Sequence, residues 1–277
     1  TTRQSSSAAS DVYKRQEFIH RVFGRLIGLA FLLPFIYFMV RRMISAKLAP
    51  KLIVLFILGG LQGLLGWYMV KSGLVDNPHV SQYRLTAHLM LALVIYAYML
   101  WIALDIIATH RPFAGNTQFF AKLSNGALAL LVLATITIVS GGFVAGLKAG
   151  LIYNTFPLMG DSLVAPGVYA MQPWYLSALE DAITVQFNHR LLAILTFLFI
   201  LVYVFSSWRL KLPKRTNILM TLLLIAACLQ VTLGISTLLL RVPVAIASAH
   251  QAGAMLLLTA LILLYHHLKR GNRAPEI

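Results

Sequence analysis

Acidic residues and cysteines are scarce in this chain. Its 277 residues include 8 Asp and Glu against 23 Lys and Arg, and 11% are charged, compared with roughly 25% in soluble domains. This composition excludes an ordinary soluble enzyme. The single cysteine, Cys228, lies inside an apolar run, which excludes an internal disulfide and a cysteine-based zinc or iron–sulfur site. Histidine is the residue type left for soft metal or cofactor ligation.

Long apolar runs dominate what is present. Hydrophobic residues make up 59% of the chain, and the mean hydropathy is +0.80. A bilayer core of about 30 Å takes about 20 apolar residues of helix. Seven stretches reach that length: 22–41, 52–70, 85–107, 123–147, 189–208, 217–240 and 244–267. The sequence therefore predicts an all-α polytopic helical bundle with seven spans in a lipid bilayer.

Most basic residues between the spans fall on alternate loops, and the opposite loops carry Lys71, Lys148 and Arg241. Thirteen follow spans one, three, five and seven: Arg41, Arg42, Lys47, Lys51, Arg111, Lys122, Arg209, Lys211, Lys214, Arg215, Lys269, Arg270 and Arg273. The positive-inside rule places this side in the cytoplasm or matrix, and the long connection at 148–186 outside. The pI of about 10.3 therefore reflects loop charge and does not indicate a nucleic-acid partner.

The first sixteen residues are polar and serine-rich, without the apolar segment of a signal peptide. We interpret 1–16 as a head outside the fold and 271–277 as an inner tail. An outward amino terminus without an export signal suggests a missing upstream span. A natural seven-span protein with a translocated head is the alternative.

Two copies of one pattern divide the chain. Each copy holds a histidine, a glutamine and a second histidine: His20, Gln62 and His88, then His189, Gln230 and His250. The first histidine precedes the glutamine by 62 − 20 = 42 residues in one copy and 230 − 189 = 41 in the other. The repeat predicts an amino-terminal half over 17–147, an outer connecting loop over 148–186, and a carboxy-terminal half over 187–270 that also uses the span 123–147. With the missing helix, this is a pseudo-symmetric four-plus-four architecture.

The four repeat histidines lie at one depth. Each stands 17 to 21 residues from the first charged residue at the inner end of its helix, roughly 25–32 Å at about 1.5 Å per residue. Two imidazoles at equal depth on opposed helices form a site for a planar iron macrocycle. Zinc is disfavoured because each pair lacks Asp, Glu or Cys at tetrahedral spacing. An interfacial histidine without a ligand is the alternative, and is our interpretation of His79, His110, His266 and His267.

Three arginines and one glutamate lie beside these histidines. Arg21 and Arg190 each follow a histidine, and Arg84 precedes one by four residues. They would contact haem propionates or, alternatively, snorkel to the interface. Glu17 stands three residues before His20 on the same helix face, and the second copy has no carboxylate there. From spacing alone, Glu17 is either a site carboxylate or an acid that interacts with the helix dipole.

Six short segments, taken in order, carry a family resemblance. They are 17–21, 63–73, 80–88, 153–160, 186–190 and 233–238. Together they resemble the haem A synthase family in its mitochondrial and proteobacterial form, over about residues 17–270. The resemblance implies eight membrane helices in two halves, the first helix being absent here. It also implies oxidation of a ring methyl of haem O to the formyl group of haem A.

The resemblance implies roles for the site residues. His20 and His88 would bind the iron of the substrate haem O, with Glu17 required beside it, while His189 and His250 would bind the iron of a haem b cofactor. The protein would be an oxidoreductase of cytochrome oxidase assembly in a bacterial or mitochondrial inner membrane. Its partners would include the haem O synthase that supplies the substrate and an unidentified electron partner. The oligomeric state, including a homo-oligomer, is left open. Family members with a cysteine pair match less well than the cysteine-lacking branch.

Two other functions were weighed against this one. A di-haem membrane electron carrier, such as a quinol-linked cytochrome b, usually stacks its haems near opposite faces, whereas all four histidines here lie at one face. An inverted-repeat transporter is disfavoured because the two copies run in the same direction.

Overall fold

Most of the described backbone is helical. The structure, a computed structural model, describes residues 2–73, 81–107 and 117–271. Its α-helices in these ranges are α1 (Thr2–Val40), α2 (Ala49–Gly73), α3 (Gln82–Ile107), α4 (Thr117–Gly146), the short α5 (Ser177–Glu180), α6 (Ala182–Trp208), α7 (Lys214–Leu239) and α8 (Val244–Gly271). Two 3-10 turns, Ala149–Leu151 and Trp174–Leu176, lie between α4 and α5.

Within the described ranges, 7 of these helices are long and apolar enough to cross a membrane. This finding confirms the predicted all-α polytopic membrane fold. Six of the seven long helices begin earlier than the predicted spans, for example α4 at Thr117 and α6 at Ala182, whereas α8 begins at the predicted Val244. The bilayer sets the length of the apolar run, whereas polar residues at its ends continue the helical hydrogen bonds.

Helix α1 includes most of the polar head that we expected outside the fold. Its backbone is helical from Thr2, while the part apolar enough to cross a membrane begins at Phe18. No glycine or proline interrupts residues 1–17, so the chain offers no residue that would stop the helix there. The predicted tail lies outside the described residues beyond Gly271.

The chain divides into two compact units, Thr1–Ser72 and Gly73–Ile277. This grouping places α3 with the later helices, whereas the repeat assigned it to the amino-terminal half. Within the second unit, Leu93 of α3 packs with Leu258 and Ile262 of α8. The division into two four-helix halves stays a prediction.

The first unit holds α1 and nearly all of α2. The rings of Phe31 and Phe56 stack with centroids 6.4 Å apart, which joins the two helices. Many of their apolar side chains are exposed, such as Ile27 and Leu64. Apolar surface of this kind is what a bilayer covers.

The core of the second unit lies among α4, α6, α7 and α8. Its buried members include small and large side chains: Ala127 and Ala134 on α4, Ile200 and Val204 on α6, Met220, Leu223 and Ala227 on α7, and Leu261, Leu264 and Leu268 on α8. Small residues allow close helix approach, which dispersion contacts then stabilise in a membrane.

The connecting loop, residues 147–181, is anchored to several helices. Asn154 Nδ2 donates to the Leu238 carbonyl at 2.9 Å, and Tyr83 of α3 donates to Glu180 at 2.9 Å. Asp181 caps α6 by accepting from the backbone amides of residues 183 and 184. The cap sets the start of α6 two turns before His189.

Candidate functional site

His189 lies on α6, and a hydroxyl group from α4 holds its ring. The Nδ1 atom of His189 lies 2.8 Å from Ser140 Oγ, and Ser140 Oγ donates to the Thr137 carbonyl at 2.7 Å. A serine hydroxyl has one hydrogen to donate, so Ser140 accepts from the Nδ1–H of His189. The Nε2 lone pair of His189 is then available to a metal.

His250 lies on α8 and differs from His189 in the surroundings of its Nδ1 atom. Its Nδ1 atom is buried and has no hydrogen-bond partner among the residues that the structure describes. A buried ring nitrogen without a partner indicates a site that a further group would complete.

A glycine on a neighbouring helix faces each of these two rings. A Cβ atom built on Gly141 of α4 would lie 3.1 Å from Cε1 of His189, and one built on Gly234 of α7 would lie 2.8 Å from Cε1 of His250. Any larger residue would therefore push the ring or the helix away. The predicted residues did not include Ser140, Gly141 or Gly234, although the Ser-Gly-Gly run at 140–142 and the repeated Leu-Gly at 233–234 were visible signals.

His189 and His250 both lie in the second unit, within electrostatic range of each other. In the described part of the chain, no group of three or more His, Cys, Asp or Glu could hold a metal ion. Two imidazoles without a third ligand suit an iron whose other four ligands come from a macrocycle. The residues present therefore fit a haem.

A haem propionate is the predicted partner of Arg190. In the structure, Arg190 contacts backbone carbonyls of the connecting loop. Its guanidinium donates to the carbonyls of Tyr153 at 2.7 Å, Thr155 at 2.9 Å and Leu158 at 3.1 Å. Gln186 donates to the same Tyr153 carbonyl at 2.9 Å. These bonds favour a role for Arg190 in anchoring the connecting loop over a propionate contact.

The other predicted site residues are divided between the two units. His20 and Arg21 are exposed on α1, in the first unit, while Arg84 and His88 are half-buried one turn apart on α3, in the second. Glu17 belongs to the backbone of α1, and its side chain lies outside the described part. The pairing of His20 with His88 stays a prediction.

Gln230 faces a glycine of the adjoining helix. A Cβ atom on Gly253 of α8 would collide with Gln230 Oε1, so the side chain crosses from α7 to the α8 backbone. Gln230 Oε1 is buried without a hydrogen-bond partner among the described residues.

At the opposite end of the same helices, His266 is buried, which corrects its interpretation as an interfacial residue. Only 2% of His266 is exposed. Its Nε2 lies 2.8 Å from Asp105 Oδ1, and Arg270 donates to the same oxygen at 2.5 Å. The Trp101 ring meets His266 edge-on at 4.7 Å. Packing of α8 against α3 buries this face because Asp105 supplies a partner there. His267 contacts Thr216 at 3.1 Å, whereas His79 and His110 lie outside the described ranges.

The sequence is similar to one protein family and to several haem A synthases. The sequence profile of the COX15-CtaA family, described as cytochrome oxidase assembly protein, matches residues 7–262. The haem A synthase of Nitrosospira multiformis is 50% identical over 254 residues, which cover 92% of this chain and 71% of the relative. That of Paramagnetospirillum magneticum is 48% identical over 259 residues, with 92% and 71% covered. Haem A synthase COX15 of Bos taurus is 43% identical over 260 residues, with 92% and 63% covered.

Proposed function

The chain belongs to the COX15-CtaA family of cytochrome oxidase assembly proteins, and from that premise we infer that it is a haem A synthase. It is a membrane oxidoreductase that converts a methyl group of haem O to the formyl group of haem A. The observation that carries this function is 50% identity to a haem A synthase across 92% of the chain. The family membership favours this activity over that of a di-haem electron carrier.

The protein is integral to the membrane, as the seven long apolar helices of its described residues require. The positive loop charges support an inner location for the loops 42–50 and 209–216. The connecting loop then lies on the outer side, together with His189 and His250.

We propose that His189 and His250 hold a haem b cofactor. The support is their proximity, the tautomer of His189 that Ser140 selects, and the close approach of Gly141 and Gly234 to the two rings. His189 and His250 would hold the haem b iron, and the cofactor would supply one-electron transfer there. The connecting loop, held by Arg190, limits access of water to the His189 end.

The amino-terminal half provides the substrate site in this proposal. His20 and His88 are the proposed ligands of the haem O iron, and Arg21 and Arg84 are the proposed cationic partners of its propionates. Arg84 and His88 share one face of α3, since they are four residues apart. That arrangement supports a contact of His88 with the iron and of Arg84 with a propionate at the rim of the same macrocycle.

Glu17 is the proposed catalytic carboxylate. Its spacing from His20 puts it one helical turn away, at the rim of the substrate site. A carboxylate there accepts a proton from the carbon centre being oxidised or stabilises positive charge developing on it. The other copy of the repeat lacks this acid, which agrees with an electron-transfer role for that half.

Haem extraction tests the assignment. His189→Ala and His250→Ala should purify without haem b while they still bind added haem O, because loss of one imidazole leaves the iron with a single axial ligand. His20→Ala and His88→Ala should show the reverse. Bound haems are extracted and identified by chromatography.

A matched control is His267→Ala, on the same helix as His250 but near its other end. It should retain both haems. Equal loss of both haems in all four site variants would contradict two separate sites, and a folded but colourless wild-type protein from haem-replete cells would contradict haem ligation.

A further inference from the structure

Hydroxyl groups of α4 contact α6 at two places, and one of these contacts is with the proposed haem ligand His189. Ser140 lies between the Thr137 carbonyl at 2.7 Å and His189 Nδ1 at 2.8 Å. One turn away, the hydroxyl oxygens of Thr137 and Thr196 lie 2.8 Å apart across the same two helices. Thr196 is buried, with 4% of it exposed. These contacts hold α4 and α6 in one register, which keeps Ser140 opposite the imidazole.

The hydrogen-bond direction makes Ser140 a good acceptor. Because its own hydrogen points to the Thr137 carbonyl, the serine oxygen is polarised and accepts more strongly from His189. Within the described residues, no hydroxyl group contacts His250 Nδ1 as Ser140 contacts His189 Nδ1. The two imidazoles of the site therefore differ in the side chain beside Nδ1.

We propose that Ser140 is a positioning residue that fixes the Nε2-ligating tautomer of His189 and sets the electron donation of that imidazole to haem b iron. This inference rests on the proposed function of the His189 and His250 pair. An acceptor on the distal Nδ1–H strengthens the ligating nitrogen as a donor. A stronger donor favours ferric over ferrous iron, so Ser140 lowers the reduction potential of the bound haem.

The test compares Ser140→Ala with Ser140→Thr in the full chain loaded with haem b. Ser140→Ala should retain a six-coordinate low-spin haem. The equilibrium preference for ferric over ferrous iron should fall about tenfold, which for a one-electron couple raises the midpoint potential by about 59 mV. Ser140→Thr keeps the hydroxyl and should restore most of the wild-type potential. The measurement is a spectroelectrochemical titration.

Ser206→Ala is the matched control. This serine also bonds a backbone carbonyl within α6, that of Val202 at 2.5 Å, but it is exposed and distant from the histidine pair in sequence. Its removal should leave the potential unchanged. If Ser140→Ala fails to fold, Ser140→Cys keeps the side-chain size with a poor acceptor and should shift the potential in the same direction.

The outcomes separate this inference from the proposed function. Loss of haem b in His189→Ala together with an unchanged potential in Ser140→Ala or Ser140→Cys would overturn the role of Ser140 alone. Retention of haem b in both His189→Ala and His250→Ala would overturn the haem site itself.

Discussion

Arg190 donates to the carbonyl oxygen of Tyr153 at 2.7 Å, and this contact ties α6 to the connecting loop one residue after His189. The carbonyls of Thr155 and Leu158 accept from the other terminal nitrogen of the same guanidinium at 2.9 and 3.1 Å. One planar group therefore holds three points of the loop. A lysine cannot reproduce this, since its three donors diverge from a single atom.

Arg190→Lys should loosen the segment 153–158 without unfolding the protein. Hydrogen bonds to charged groups contribute about 1.5–3 kcal/mol each, so loss of one or more of the three should raise amide hydrogen exchange in this segment at least about tenfold. Arg241→Lys, at an exposed turn, should leave the exchange unchanged. Unchanged exchange in Arg190→Lys with weaker haem binding would instead favour the propionate contact.

Gly234→Ala should weaken haem b binding more than Gly141→Ala does. The added Cβ would lie 2.8 Å from the His250 ring in the first variant and 3.1 Å from the His189 ring in the second, and real Cβ atoms essentially never approach within 3.0 Å. The absorbance of haem b per protein measures the effect. Gly60→Ala on α2, where nothing lies within 4 Å, should fold and bind haem normally. Equal haem content in all three variants would contradict the close approach.

Asp105→Asn should destabilise the packing of α3 against α8. His266 and Arg270 share the Asp105 carboxylate, and removing one partner of a fully buried pair costs about 3–5 kcal/mol. With Arg270 24% exposed, we expect about 1–3 kcal/mol, because solvent screens part of the interaction. A lower thermal unfolding midpoint with an unchanged haem spectrum checks this prediction. Asp161→Asn, exposed in the connecting loop, is the control and should unfold like the wild type.

Glu17→Gln should reduce haem A formation at least about a hundredfold while haem content and folding are unchanged. The substitution keeps the size and hydrogen bonding of the side chain but removes its charge. An acid that only interacts with the helix dipole contributes about 0.3–1 kcal/mol to stability and would leave turnover intact. Turnover is followed by chromatography of the haems. Glu180→Gln removes a carboxylate from the connecting loop and should convert haem O normally. Near-normal conversion in Glu17→Gln would show that Glu17 is not catalytic and would favour a role as an acid that interacts with the helix dipole.

Several properties of this protein follow from its sequence alone. The length of each apolar run determines the seven membrane helices, because no other structure satisfies the backbone of such a run in lipid. The spacing of His20, His88, His189 and His250 predicts four rings at one depth, and six ordered segments indicated the family that the comparisons confirm. These are properties of runs and spacings, which the chain carries without any tertiary contact.

Only the tertiary structure decided which side chains meet. Ser140 and His189 are 49 residues apart, and Asp105 and His266 are 161 apart, so no local pattern connects them. In a membrane, the faces of a helix toward lipid and toward protein are both apolar, and hydrophobic periodicity therefore does not show which face is buried. For this reason the sequence alone placed His266 at the interface. Packing of α8 against α3 buries His266, and the fold of the connecting loop supplies carbonyls to Arg190.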